Sequence, residues 1–93
     1  MTEIEEVKKY SGWDNVVELS VDKFKIVFSE FIKGKETISK IENLKIIYTH
    51  KSLKDYFIVV TNNSYYIGSI NMNTNTVTCF LKFDTLEETC KNL

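Results

Sequence analysis

One histidine, two cysteines and thirteen acids are the groups in this 93-residue chain that could move a proton, attack a carbonyl or hold a metal. His50 is the only imidazole, so a multi-histidine metal site cannot be assembled within one chain. Cys79 and Cys90 stand eleven apart with no Cys-x-x-Cys spacing, and zinc would need both of them, His50 and a carboxylate drawn from distant places. No metal is expected. A thiolate nucleophile needs a base beside it and a third group to orient that base. On paper Cys90, His50 and either Asp55 or Asp14 make such a set, but no motif brings them together. The three glycines lie singly at 12, 34 and 68, so neither a phosphate-binding loop nor a dinucleotide turn can be written, and no cofactor is expected. The acids fall at helix starts and turns, where their electrostatic role is local. The chemistry points away from an enzyme.

Charge offers the second chemistry to weigh. A net charge of −1 gives no overall field favouring nucleic acid, a membrane surface or an acidic substrate. The charges are nevertheless segregated. Residues 1–22 hold six acids and two lysines (−4), residues 23–54 eight lysines and three glutamates (+5), and residues 55–93 four acids and two lysines (−2). In the basic stretch Lys23, Lys25, Lys33, Lys35, Lys40, Lys45, Lys51 and Lys54 are interleaved with Tyr48 and His50, a pattern able to follow a phosphate backbone. The commoner meaning of such lysines is a solvated face whose edge strands resist sheet-to-sheet pairing. The chain has no Arg, the residue usually used for bidentate readout of guanine or clamping of phosphate.

Ala, Gln and Pro are also missing, while Ile, Lys, Asn and Thr abound. Ala, Arg and Pro have GC-rich codon families, so the bias fits a low-GC bacterium or one of its mobile elements. No apolar run approaches the ~20 residues of a membrane span. The N-terminus, MTEIEEVKKY, has acids where a secretory leader needs a basic start and an apolar segment. The expected setting is the cytoplasm, with no membrane partner and with both cysteines as free thiols.

The elements that must position these groups centre on residues 56–81, a stretch without a single charge. It predicts a three-stranded antiparallel meander at 56–61, 65–71 and 76–83, with Asn-rich turns, because Asn tolerates left-handed backbone. A two-residue turn at Asn62-Asn63 sets Val59 opposite Tyr66 and Phe57 opposite Gly68. One face then carries Phe57, Val59, Tyr66, Ile70, Met72, Val77, Cys79, Leu81 and Phe83, and is the expected core face. Gly68 in its middle leaves room for a close neighbour. The opposite face holds Tyr56, Ile58, Val60, Tyr65, Ile67 and Phe80, with Ile67 paired to Phe80 if the second turn is Asn73-Thr74. A solvated face should be polar. Either another element covers this one, or it is a partner-binding patch.

Thr2 and Glu5 form a capping-box signature for a helix at 2–11, which Gly12 stops. Trp13 follows as a plug over the core edge. Alternation predicts a strand at 16–21, a turn at Asp22-Lys23 and a second strand at 24–33, together a hairpin. Residues 35–44 read as a helical turn on the three-apart Ile38, Ile41 and Leu44, leading to a strand at 45–50. Asp84-Thr85 opens a C-terminal helix with Leu86, Cys90 and Leu93 on one stripe.

These elements predict a single α+β domain over residues 1–93, with an antiparallel sheet of about five or six strands and short terminal helices. A chain this long hides roughly 60–65% of its unfolded surface, enough for one core. The order of helix, strands and C-terminal helix resembles that of pleckstrin-homology-like barrels, which implies a curled sheet with a terminal helix plugging one end and implies nothing about function. A flat two-layer sheet is the competing architecture. The expected function is that of a small non-catalytic intracellular binding protein, with another protein or a second copy docking on Tyr56, Ile58, Tyr65, Ile67 and Phe80. Nucleic acid bound through the lysines of 23–54 is the alternative.

Overall fold

The computed structural model describes residues 2–50 and 56–93. Its elements are α1 (Glu3–Ser11), β1 (Val16–Ser20), α2 (Val21–Phe24), β2 (Phe28–Lys33), β3 (Glu36–Lys40), β4 (Leu44–His50), β5 (Phe57–Thr61), β6 (Tyr65–Asn71), β7 (Thr76–Phe83) and α3 (Leu86–Lys91). The two terminal helices form where their caps predict. Glu5 accepts from the Thr2 N–H at 3.3 Å, and Gly12, left-handed at φ 75°, donates to the Lys8 carbonyl at 3.1 Å. At the other end Thr85 Oγ1 accepts from the Glu88 N–H at 3.2 Å and starts α3.

The strands form one seven-stranded sheet in the order β1-β4-β5-β6-β7-β2-β3, antiparallel throughout except for the parallel pair β2–β7. The meander is as expected up to its third strand: Val59 pairs with Tyr66, Phe57 with Gly68, and Ile70 with Val77. The 16–33 hairpin does not form. Residues 21–24 coil into α2, and Lys25 takes a left-handed turn at φ 51°, which ends the strand alternation and sends the chain elsewhere. β1 lies instead along β4, and β2 along β7 and β3. Nor is 35–44 a helical turn. Gly34, at φ 66°, lets Lys33 pair with Glu36, so the segment folds back as β3. The supposed helical stripe separates: Ile38 is exposed, whereas Ile41 is buried.

Chain length forces the sheet to curl. β3 ends at Lys40 and β4 starts at Leu44, yet they lie five places apart in the strand order. In a flat sheet that is ~24 Å, whereas four Cα steps span at most ~15 Å. The two ends therefore swing together, and the Ile41 N–H donates to the Ser29 carbonyl at 2.9 Å as the chain crosses. The end strands β1 and β3 are not paired to each other, so the sheet is curled and open, and the closed-barrel expectation is corrected.

Each face has its own core. Ile41, Ile47, Phe57, Val59, Tyr66, Val77 and Cys79 pack on one side, joined by Ile26 and Leu44 from the crossing segments. On the other, Val7 of α1 and Leu86 and Cys90 of α3 cover Tyr48, Ile58 and Val60, with Trp13 beside them. Trp13 thus plugs the core edge as expected.

Candidate functional site: an aromatic groove beside the terminal helices

The second face of the meander is mostly roofed by α1 and α3. Ile58 and Ile67, expected as partner contacts, are both buried: Ile58 lies beneath the helices, and Ile67 keeps 3% of its surface. Tyr65 is half-buried against the same core. Its hydroxyl and that of Tyr48 converge on Glu3 of α1: Tyr48 donates to Oε1 at 2.8 Å and Tyr65 to Oε2 at 3.5 Å. Burial, followed by the Glu3 carboxylate, pushes both phenols above their ordinary range. These tyrosines anchor the helix to β4 and β6.

Tyr56 and Phe80 stay outside the roof, 52% and 37% exposed. Their rings meet edge to face, with centroids 6.3 Å apart and planes at 89°. A bulge between Ile67 and Gly68 sets up this arrangement. Gly68 pairs with Cys79 and Ile67 with Leu81, so Phe80 drops out of the ladder and the expected Ile67–Phe80 pair is not made. The alternation shifts by one, and Leu81, expected in the core, is left 44% exposed. Met72, also expected there, is exposed in the loop after β6.

Tyr56, Phe80 and Leu81 line a groove of about 600 Å³ with Trp13, Ile67, Cys90 and Leu93, and with Ser11 and Asn92 as its polar members. Ser11 and Trp13 come from the end of α1 and the turn after it; Cys90, Asn92 and Leu93 come from the end of α3. Sequence reasoning missed Leu81, because strict alternation was carried through the third strand of the meander. The isolated Gly68 was the available signal: a Cβ there would lie 2.6 Å from the Thr78 carbonyl oxygen and 2.9 Å from Cys79 Sγ.

The thiols are buried, and the imidazole is half-buried. Burial, and then Glu6, pushes the Cys90 thiol up to about 11; burial alone pushes Cys79 up to about 12. Neither supplies thiolate near neutral pH. The His50 ring stands against Trp13, with centroids 5.8 Å apart. Asp14 is exposed, and Asp55 lies outside the described residues. Both cysteines are free thiols. Among the described residues no group of three or more His, Cys, Asp or Glu could hold a metal, and no helix is long and apolar enough to cross a membrane.

The lysines of the basic stretch fall on several elements. Lys23 lies on α2 with Lys25 just after it, Lys33 and Lys35 flank the β2–β3 turn, and Lys40 and Lys45 sit on β3 and β4; all are exposed. Lys51 and Lys54 lie outside the described residues. No family model, curated protein or solved structure matches this chain.

Proposed function

We propose that this chain is a non-catalytic binding module that docks another protein in the groove between its terminal helices and the edge of the meander. One observation carries the reading: Tyr56, Phe80 and Leu81 remain exposed side by side at a concave site, while the rest of the same face is roofed. Rigid aromatic anchors at a concave apolar site supply a disproportionate share of interface energy. In this reading the protein works inside the cell with both thiols reduced, and their burial in the two cores supports that.

The test compares wild type with the Tyr56→Ser/Phe80→Ser double variant in capture from a native lysate, at about 0.1 and about 0.5 M salt. Both side chains are exposed, so the fold and melting temperature are expected to hold. Docking in the groove predicts a specific protein that survives the higher salt and is lost in the variant. A bound species that ignores the variant and is released by salt would replace this reading with nucleic-acid binding through the lysines of 23–54. A second copy as the partner would show as a wild-type oligomer that the variant dissolves.

A further inference from the structure

We propose that the groove accepts a methylated ammonium group, namely the side chain of a methylated lysine on the docked protein. This inference rests on the docking reading above and names the group that anchors the partner.

The geometry comes first. Two rings at 89° with centroids 6.3 Å apart form an inner corner, in which one ring supplies the floor and the other the wall. Tyr56 and Phe80 both line the groove, so a group lodged in that corner would lie against both rings, and Trp13, 7% exposed, borders the same groove. Ring faces carry the negative part of the aromatic quadrupole and attract a cation held within ~6 Å of the centroid.

The rest of the lining suits a cation stripped of its donors. Among the described residues, no lysine lines the groove. Outside it, Lys91 is paired with Glu87 at 2.9 Å, and Glu6 is close enough to disfavour a thiolate at Cys90. The polar members already have partners: Ser11 Oγ donates to the Val7 carbonyl and accepts from the Trp13 N–H at 3.1 Å, and Asn92 Nδ2 donates to the Glu88 carbonyl at 2.7 Å. A plain ammonium would bring three strongly hydrated donors into a groove with few acceptors to replace water. Methyl groups remove those donors, spread the charge and add apolar surface.

The lining also favours a side chain over a free small cation. Beyond the ring corner the groove continues along Leu81 and Leu93, both exposed. A small cation would leave them in water, whereas residues flanking a lysine in a polypeptide would cover them. A volume of about 600 Å³ accommodates the methylated head, its four-carbon stem and part of the flanking backbone.

The experiment titrates the intact chain with four probes and reads the fluorescence of Trp13, its only tryptophan. The probes are a short Gly/Ser peptide bearing trimethyllysine, its unmethylated twin, its neutral tert-butyl isostere and free tetramethylammonium. The expected result is that the trimethyllysine peptide binds at least about tenfold more tightly than each of the other three. Tyr56→Leu and Phe80→Leu keep apolar bulk and are expected to cost it about tenfold each, with unchanged melting. Equal binding of the neutral isostere, or no binding of any cationic probe, overturns the inference. Docking in the groove then still stands or falls on lysate capture by the Tyr56→Ser/Phe80→Ser variant. Tetramethylammonium binding as tightly as the peptide overturns the assignment to a partner's side chain.

Discussion

Replacing Gly68 by Ala adds one methyl group and tests the packing of β6 on β7. Intrinsic preference favours the change, because Gly inside a strand is worse than Ala by roughly 0.5–1 kcal/mol. Gly68 is not in the left-handed region, so no backbone strain enters. Sterics decide. The new Cβ would stand 2.6 Å from the Thr78 carbonyl oxygen, 2.9 Å from Cys79 Sγ and 3.0 Å from Cys79 Cα. Two of these three neighbours are backbone atoms of the paired strand and cannot swing aside. Overpacking of this kind costs about 1–3 kcal/mol, and the backbone contacts put this case at the upper end. A net loss of about 2 kcal/mol remains after the propensity gain, a Tm drop of about 8–16 °C for a domain this small. The assay is urea and thermal unfolding of Gly68→Ala, alone and combined with Cys79→Ala. Removing Sγ relieves one contact and leaves both backbone ones, so the second substitution rescues little. A Gly68→Ala protein as stable as wild type would refute the close approach and, with it, the bulge that frees Phe80.

Ile58, fully buried beneath the helices, should lose about 2–5 kcal/mol on Ile58→Ala, whereas Tyr56→Ala, two residues away and half exposed, should lose under about 1; paired denaturation curves check both. Tyr48→Phe removes the 2.8 Å hydrogen bond to Glu3 and should cost about 1–3 kcal/mol, while Glu3→Ala in the same background should then cost much less than it does alone, as a double-mutant cycle will show. Alkali should destabilise the protein. Both thiols are raised in the fold, Cys79 to about 12 and Cys90 to about 11 from 9.0, so the native state keeps its protons where the unfolded chain releases them. Their contribution is complete well below pH ~9 and falls above it, the slope approaching about 1.4 kcal/mol per pH unit per thiol and fading as the pH reaches each folded value, with Tyr48 adding to the slope beyond pH ~10. Stability measured from pH 8 to 11 should therefore decline less steeply in the Cys79→Ala/Cys90→Ala protein, whatever its starting value.

What could be read in advance follows from which contacts are local. Neighbouring strands joined by Asn turns have their register set by turn and alternation, so Val59–Tyr66 and Phe57–Gly68 were legible. The terminal helices declared themselves by Thr2, Glu5, Gly12 and Thr85, whose side chains or backbones satisfy the helix ends directly. The pairing of β1 with β4 and of β2 with β7 was not legible, because any half-apolar strand suits many partners and nothing local chooses among them. β3 carries no alternation to detect, since all five of its residues are exposed. In the groove, Tyr56 and Phe80 were visible as surplus aromatic surface; Leu81 and Leu93 were not, because a bulge and a helix end brought them there.

The parallel pair β2–β7 has a consequence for how the chain acquires its structure. β1 waits for β4, and β2, which finds β3 at once across the Gly34 turn, waits for its other neighbour until Phe28 meets Thr76, so neither early strand is placed in the sheet when it leaves the ribosome. The 57–83 meander closes by short hairpins, and such local closures precede long-range ones because less chain entropy is lost. We infer that the C-terminal half is the template on which the N-terminal half condenses. Pulse-labelling hydrogen exchange during refolding should protect the amides of β5 and β6 before those of β1 and β2, and the reverse order would refute the inference. Synthesis from the N-terminus therefore delivers the followers before their template. The acids and lysines that crowd residues 1–54 keep that waiting segment charged and hydrated until the uncharged strands arrive.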